Sequence, residues 1–158
     1  MTPYFDGGCA GTPVVPEITV NPTAHVIDPV DQELCNGSAK AAVNFTTNNT
    51  GGVVTYDWTN DTPSIGLAEQ GQATSSSFTA TNAGTAPVTA TIEVTPYFDG
   101  GCAGATESFT ITVNPTAQVN DPGIRSCANG AATAAVTFTT NTGGVVTYGW
   151  TNDDTSID

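Results

Sequence analysis

Four cysteines, one histidine and one short acidic run are the groups in this 158-residue chain best suited to chemistry. The cysteines stand at positions 9, 35, 102 and 127, and no two form a Cys-x-x-Cys pair. With His25 as the only imidazole, a four-ligand zinc site is not expected. Evenly placed cysteines in a chain of short strands point instead to disulfides and an oxidising compartment, with buried free thiols as the alternative. The leading pairing is Cys35 with Cys102. It closes a loop of 67 residues (102 − 35), which a chain-entropy argument converts to about 4 kcal/mol. A bond between neighbouring units, such as Cys9 to Cys35, is the competing scheme, and Cα separations decide between the two.

The even spacing has a cause. Cys9 and Cys102 lie in two copies of the same ten letters, TPYFDGGCAG, at residues 2–11 and 95–104. The offset is 93 residues, and VNPTA returns at the same offset (residues 20–24 and 113–117). TGGVVTY and WTND return at an offset of 92. Repetition at a fixed period takes precedence over length in counting units. The chain therefore reads as the end of one repeat (residues 1–22), a complete repeat (residues 23–115) and the beginning of a third (residues 116–158). Counterparts of roughly residues 67–93 occur in neither partial copy, which suggests a segment cut from a longer array.

Strand patterning fills the complete unit. Val54, Tyr56 and Trp58 alternate with Thr55, Asp57 and Thr59. Val88, Ala90, Ile92 and Val94 alternate with threonines and Glu93, and Phe109, Ile111 and Val113 with Ser108, Thr110 and Thr112. Shorter strands are expected near Val26, at Val43 and Phe45, at residues 65–68 and at Phe78, and another at Ile18 and Val20 before Asn21-Pro22. The acidic segment 28–33 reads as irregular, residues 35–38 as a turn, and residues 69–75 as loop. No stretch carries a sustained helical period. About seven short strands with turns every 8–12 residues are the signature of an all-β, antiparallel β-sandwich repeat, with Trp58 as its buried tryptophan.

Composition excludes several functions. Lys plus Arg number 2 against 15 Asp plus Glu, a formal charge of −13. That surface repels phosphate backbones and anionic lipid, so no nucleic-acid partner is expected. No stretch is long and apolar enough to span a bilayer, so direct membrane insertion is not expected either. The first residues lack the basic and apolar regions of a signal peptide.

A catalytic role is not expected. His25 aligns with Gln118 in the next copy, and the paired carboxylates Asp28/Asp31 and Asp153/Asp154 lie in polar loops unsuited to raising a pKa for acid–base work. Asp28, Asp31 and Glu33 offer the hard oxygens that calcium selects. The aligned segment keeps Asp121 but has Gly123 and Arg125 near the other positions, and no D-x-[DN]-x-[DN]-G loop occurs. Solvated loops are the preferred reading, and no cofactor is expected. Tyr97 and Phe98 offer an aromatic platform for a sugar, against the commoner role of core or cross-strand partners. The N-x-[ST] matches at Asn36, Asn44, Asn48 and Asn60 are what a Thr- and Asn-rich chain produces by chance.

The segments VNFT (43–46), YDWTND (56–61), PSIGLA (63–68), FTATN (78–82), TAPVTATI (85–92) and FTITVNP (109–115) follow one another in an order that resembles a known module. They are similar to the PKD-like, immunoglobulin-like repeats of very large Bacteroidetes surface proteins, among them gliding-motility adhesins and other type IX secretion cargo. The likeness runs along the whole chain, with departures at Pro16, which stands where Phe109 does, and in the acidic segment 28–33. The resemblance implies an extracellular, cell-surface location. The expected function is a stalk or filament segment of a long adhesin. Its partners would be neighbouring repeats of the same chain and other filament chains. The alternative is a repeated glycan- or matrix-binding module acting by avidity.

Overall fold

The computed structural model describes residues 1–128 and 130–153. The chain is all-β, and its only helical turn among the described residues is a 3₁₀ turn at Pro63–Ile65. In chain order the strands are β1 (Tyr4–Phe5), β2 (Cys9–Ala10), β3 (Gln32–Cys35), β4 (Ala39–Lys40), β5 (Val54–Asn60), β6 (Gln70–Gln72), β7 (Phe78–Thr79), β8 (Val88–Phe98), β9 (Cys102–Ala103) and β10 (Glu107–Asn114).

One six-stranded sheet organises residues 32–114. Its order is β3-β10-β8-β5-β6, and β9 also pairs with β8. All its ladders are antiparallel except β3–β10, which is parallel. A separate ladder pairs β4 with β7. The long β8 is the axis of the sheet, flanked by β5 on one side and by β10 and β9 on the other. At one end Val88 pairs with Val113 and the chain leaves through Pro115. At the other end Phe98 pairs with Cys102, and the adjoining Gly104 packs on the backbone of Ala24, where the chain enters. The sheet thus has an entry pole and an exit pole.

Alternation in the sequence becomes one dry face. Tyr56, Trp58, Ala90, Ile92, Val94, Phe109, Ile111 and Val113 point inward from three adjacent strands. Val26, Phe45, Ile65, Leu67 and Ala80 close over them from outside the sheet. Phe45 is wedged between two rings, with centroids 5.7 Å from Tyr56 and 6.4 Å from Phe109. Such offset and tilted contacts are the arrangement that aromatic quadrupoles favour.

Several expectations change. The acidic segment ends in a strand, β3, and the stretch expected to be loop contains β6. Residues 65–68 form no strand: Ile65 and Leu67 are buried, and the turn at Pro63–Ile65 delivers them. It ends at Gly66, whose φ of 96° suits glycine. Ile18 and Val20 are exposed and outside any strand, whereas their counterparts Ile111 and Val113 are buried in β10. The difference is one of partners: β10 is held by β3 and by residues 88–94 of β8, whereas among the described residues Ile18 and Val20 pair with no strand.

Contacts recur at the spacing of the sequence repeat. Tyr4 pairs with Ala10 and Phe5 with Cys9, as Tyr97 pairs with Ala103 and Phe98 with Cys102. Ile27 donates its amide to the Thr46 carbonyl and Asn120 to the Thr139 carbonyl, both at 2.8 Å. The His25 amide donates to Asn49 Oδ1 at 2.8 Å, and the Gln118 amide to Thr142 Oγ1 at 3.0 Å. Each matched pair lies 93 residues apart, with Thr142, the counterpart of Thr50 in TGGVVTY, taking the place of Asn49.

Candidate functional site

The outer face of the sheet is polar and held by its own hydrogen bonds. Thr89 and Thr112 join through their hydroxyls at 2.9 Å, as do Thr95 and Thr106. Thr59, Asp61, Glu69, Gln70, Thr91 and Glu93 line a shallow open groove of about 410 Å³. Asp61 Oδ1 accepts from the Thr91 amide at 2.8 Å and from the Thr62 hydroxyl at 2.9 Å. On the far side of the sheet Asp31 Oδ1 accepts from the Thr110 amide at 2.7 Å. Thr91 and Thr110 are register partners, so two carboxylates bracket one cross-strand pair from its two flanks. Backbone donation holds both carboxyls below their usual value of 3.8, aided at Asp61 by the Thr62 hydroxyl. These groups are fixed as anions that cap sheet amides, the reverse of the raised pKa that a general acid requires.

The residues named for calcium are not gathered around a common point. Asp31 is turned to Thr110, and Glu33 Oε1 accepts from Asn114 Nδ2 at 2.7 Å. Among the described residues, no group of three or more His, Cys, Asp or Glu is placed to hold a metal ion. His25 is exposed. Phe98 is buried against Gly52, which removes it from any sugar platform and leaves Tyr97 alone. Asp153 is exposed, and Asp154 lies outside the described residues.

The cysteine pairing needs correction. All four cysteines are free thiols and exposed. Cys35 pairs with Asn114 at the exit pole, while Cys102 pairs with Phe98 at the entry pole. The span of β8 from Val88 to Phe98 separates them, roughly 33 Å at ~3.3 Å per residue. A disulfide requires Cα atoms within about 7 Å, so the fold does not allow the Cys35–Cys102 bond.

What the fold does assemble is a polar joint at the exit pole. Asn82, only 6% exposed, donates through Nδ2 to the Val113 carbonyl at 2.7 Å and the Ala86 carbonyl at 2.9 Å. Its Oδ1 accepts from the Gly84 amide at 2.9 Å, and its own amide donates to Asn36 Oδ1 at 2.8 Å. Asn36 Nδ2 in turn donates to Thr116 Oγ1 at 3.0 Å, just past the end of β10. The turn that Asn82 organises presents the Thr85 carbonyl, which accepts from the amide of Gly143.

No protein-family model, curated protein or solved structure matches the chain. The joint must therefore be read from its own geometry. Glu33, Pro87, Asn114 and Pro115 form one wall of a groove about 330 Å³ in volume, and residues 142–146 form the other. The buried Asn82 amide, aimed at the Val113 and Ala86 carbonyls, fixes position. In the sequence Asn36-Gly37 reads only as part of a turn, and Asn82 is not singled out. A turn asparagine followed at close range by glycine was the available signal, but the long-range partners Val113 and Thr116 leave no trace in local spacing.

Proposed function

We propose that this chain is part of an extended array of immunoglobulin-like β-sandwich units, serving as the stalk of a long extracellular surface protein. The observation that carries the reading is the return of the same hydrogen bonds 93 residues apart, on either side of a joint made by Asn82, Asn36, Thr116 and Gly143. The order β3-β10-β8-β5-β6, faced by the β4–β7 ladder, supports the sandwich architecture. A short connection, with Asn114 in β10 and Thr116 already bonded to Asn36, leaves little freedom between units. The threonine-rich outer face and the charge of −13 suit a solvated surface that does not self-aggregate.

The role is mechanical and non-catalytic, with neighbouring units as the principal partners. The glycan-binding alternative loses half of its aromatic platform to the burial of Phe98. Small-angle X-ray scattering on chains with one, two and three completed copies tests the proposal. The maximum dimension should grow by about 40 Å per copy, the length of one sandwich by strand rise. Growth of much less, or broad profiles of a flexible string, would exclude a stiff stalk.

A further inference from the structure

We propose that Cys35 forms a disulfide with the cysteine of the following unit's TPYFDGGCAG hairpin, one repeat beyond Cys102, so that consecutive units are tied covalently across each joint. The inference rests on the array reading above. Its first support is the separation of Cys35 and Cys102 within a unit: each cysteine sits exposed at its own pole. Cys35 is the register partner of Asn114, and Asn114 lines the groove against Gly143, Gly144 and Val145.

The second support comes from the same loop in the complete unit. There Val53 and Asp99 exchange bonds: the Asp99 amide donates to the Val53 carbonyl at 2.8 Å, and Asp99 Oδ1 accepts from the Val53 amide at 2.9 Å. Gly52 packs on the Phe98 ring, and Phe98 pairs with Cys102. The loop 50–53 is therefore the seat of the cysteine-bearing hairpin. Its counterpart, residues 142–145, lines the groove together with Asn114, the register partner of Cys35. A hairpin seated there as β8–β9 is seated here places its cysteine over the exit pole of the preceding unit, next to an exposed thiol.

The bond forms by thiol–disulfide exchange with a low-molecular-weight disulfide. One thiolate attacks the reagent, releasing one thiol and leaving a mixed disulfide; the second thiolate then displaces the second thiol. Two protein thiols are oxidised, one reagent disulfide is reduced to two thiols, and the two protons pass to the released thiolates.

The test extends the full chain after Asp158 with residues 67–115 of its own sequence, because Asp158 aligns with Gly66. Cys9→Ser and Cys127→Ser are made throughout. One variant adds Cys102→Ser, leaving Cys35 and the cysteine of the added hairpin; the other keeps Cys102 and replaces the added cysteine by serine. After equilibration with oxidised and reduced glutathione, peptide mass spectrometry should find Cys35 linked in most molecules of the first variant and in none of the second. A Cys35–Cys102 link in the second overturns the inference. So do alkylatable thiols in the first variant when quenching shows Trp150 buried, an outcome that leaves the array intact. Trp150 still open to quencher in the extended chain overturns the array reading and this inference with it.

Discussion

Trp58 and Gly71 face each other across the β5–β6 ladder, and the indole occupies the space where a side chain at 71 would begin. A Cβ built on Gly71 meets ring atoms of Trp58 at 2.5–2.9 Å. The ring is 2% exposed and donates from Nε1 to the Thr74 carbonyl at 3.3 Å, so it has nowhere to retreat. Gly71→Ala should therefore lower stability by about 2 kcal/mol, the middle of the range for forcing one extra carbon into a packed core. Urea unfolding followed by tryptophan emission measures it, and an unchanged midpoint would show that β6 yields freely.

Asn82 makes a different demand. Its side chain satisfies the carbonyls of Ala86 and Val113 and the amide of Gly84 while nearly excluded from water. Asn82→Ala strands the Val113 carbonyl at the end of β10, and should lower stability by about 2 kcal/mol. Asn82→Asp keeps the acceptor for Gly84 but cannot donate, so it should recover little of the loss. Amide exchange at Gly143 gives an independent readout: its protection should fall in both variants if the joint is organised through Asn82.

The strands that could be read in advance were those with a dry face on one side and water on the other. In β5, β8 and β10, alternation of Tyr56-Trp58, Ala90-Ile92-Val94 and Phe109-Ile111-Val113 with threonines announces the period directly. β3 carries a single apolar contact, Leu34, and pairs in parallel with a strand about 80 residues away, so no local turn marks it. β6 is Gln-Gly-Gln, and its one distinctive residue acts by lacking a side chain beneath Trp58. Ile65 and Leu67 show the reverse case, correctly apolar but delivered by a 3₁₀ turn. The cysteines show the limit most plainly. Their number suggested pairing, yet the poles on which they stand are set by strand register, which composition does not encode.

The carboxylates at the sheet flanks make stability depend on acid. Asp31 and Asp61 have folded-state pKa values held below 3.8 by the amides of Thr110 and Thr91. The folded state therefore binds these protons less readily than the unfolded chain. Their contribution is present at pH values above the unfolded pKa near 4 and disappears as pH falls through the lower folded values. Urea midpoints measured from pH 7 down to pH 2.5 should drop across that lower window. In Asp31→Asn/Asp61→Asn the drop should be smaller, with lower stability at pH 7. An identical pH profile in the double variant would show that other carboxylates carry the effect.

Trp150 opens the WTND sequence at 150–153 as Trp58 opens it at 58–61, yet the two indoles differ in environment. Trp58 is 2% exposed and Trp150 is 74% exposed. Trp58 is covered because residues 67–113 supply Leu67, Ala80, Val94 and much of the core around it. In the chain of 158 residues the emission should divide into two classes, one quenched readily by acrylamide and one protected. Trp150→Phe should abolish the accessible class and leave a blue-shifted band, while Trp58→Phe should leave a single red-shifted band. Extending the chain after Asp158 with residues 67–115 should convert Trp150 to the protected class, with a quenching constant reduced to near that of Trp58. Protection of Trp150 in the chain before it is extended would instead mean that residues 116–153 bury their indole by other contacts, and the equivalence of the two copies would fail at that point.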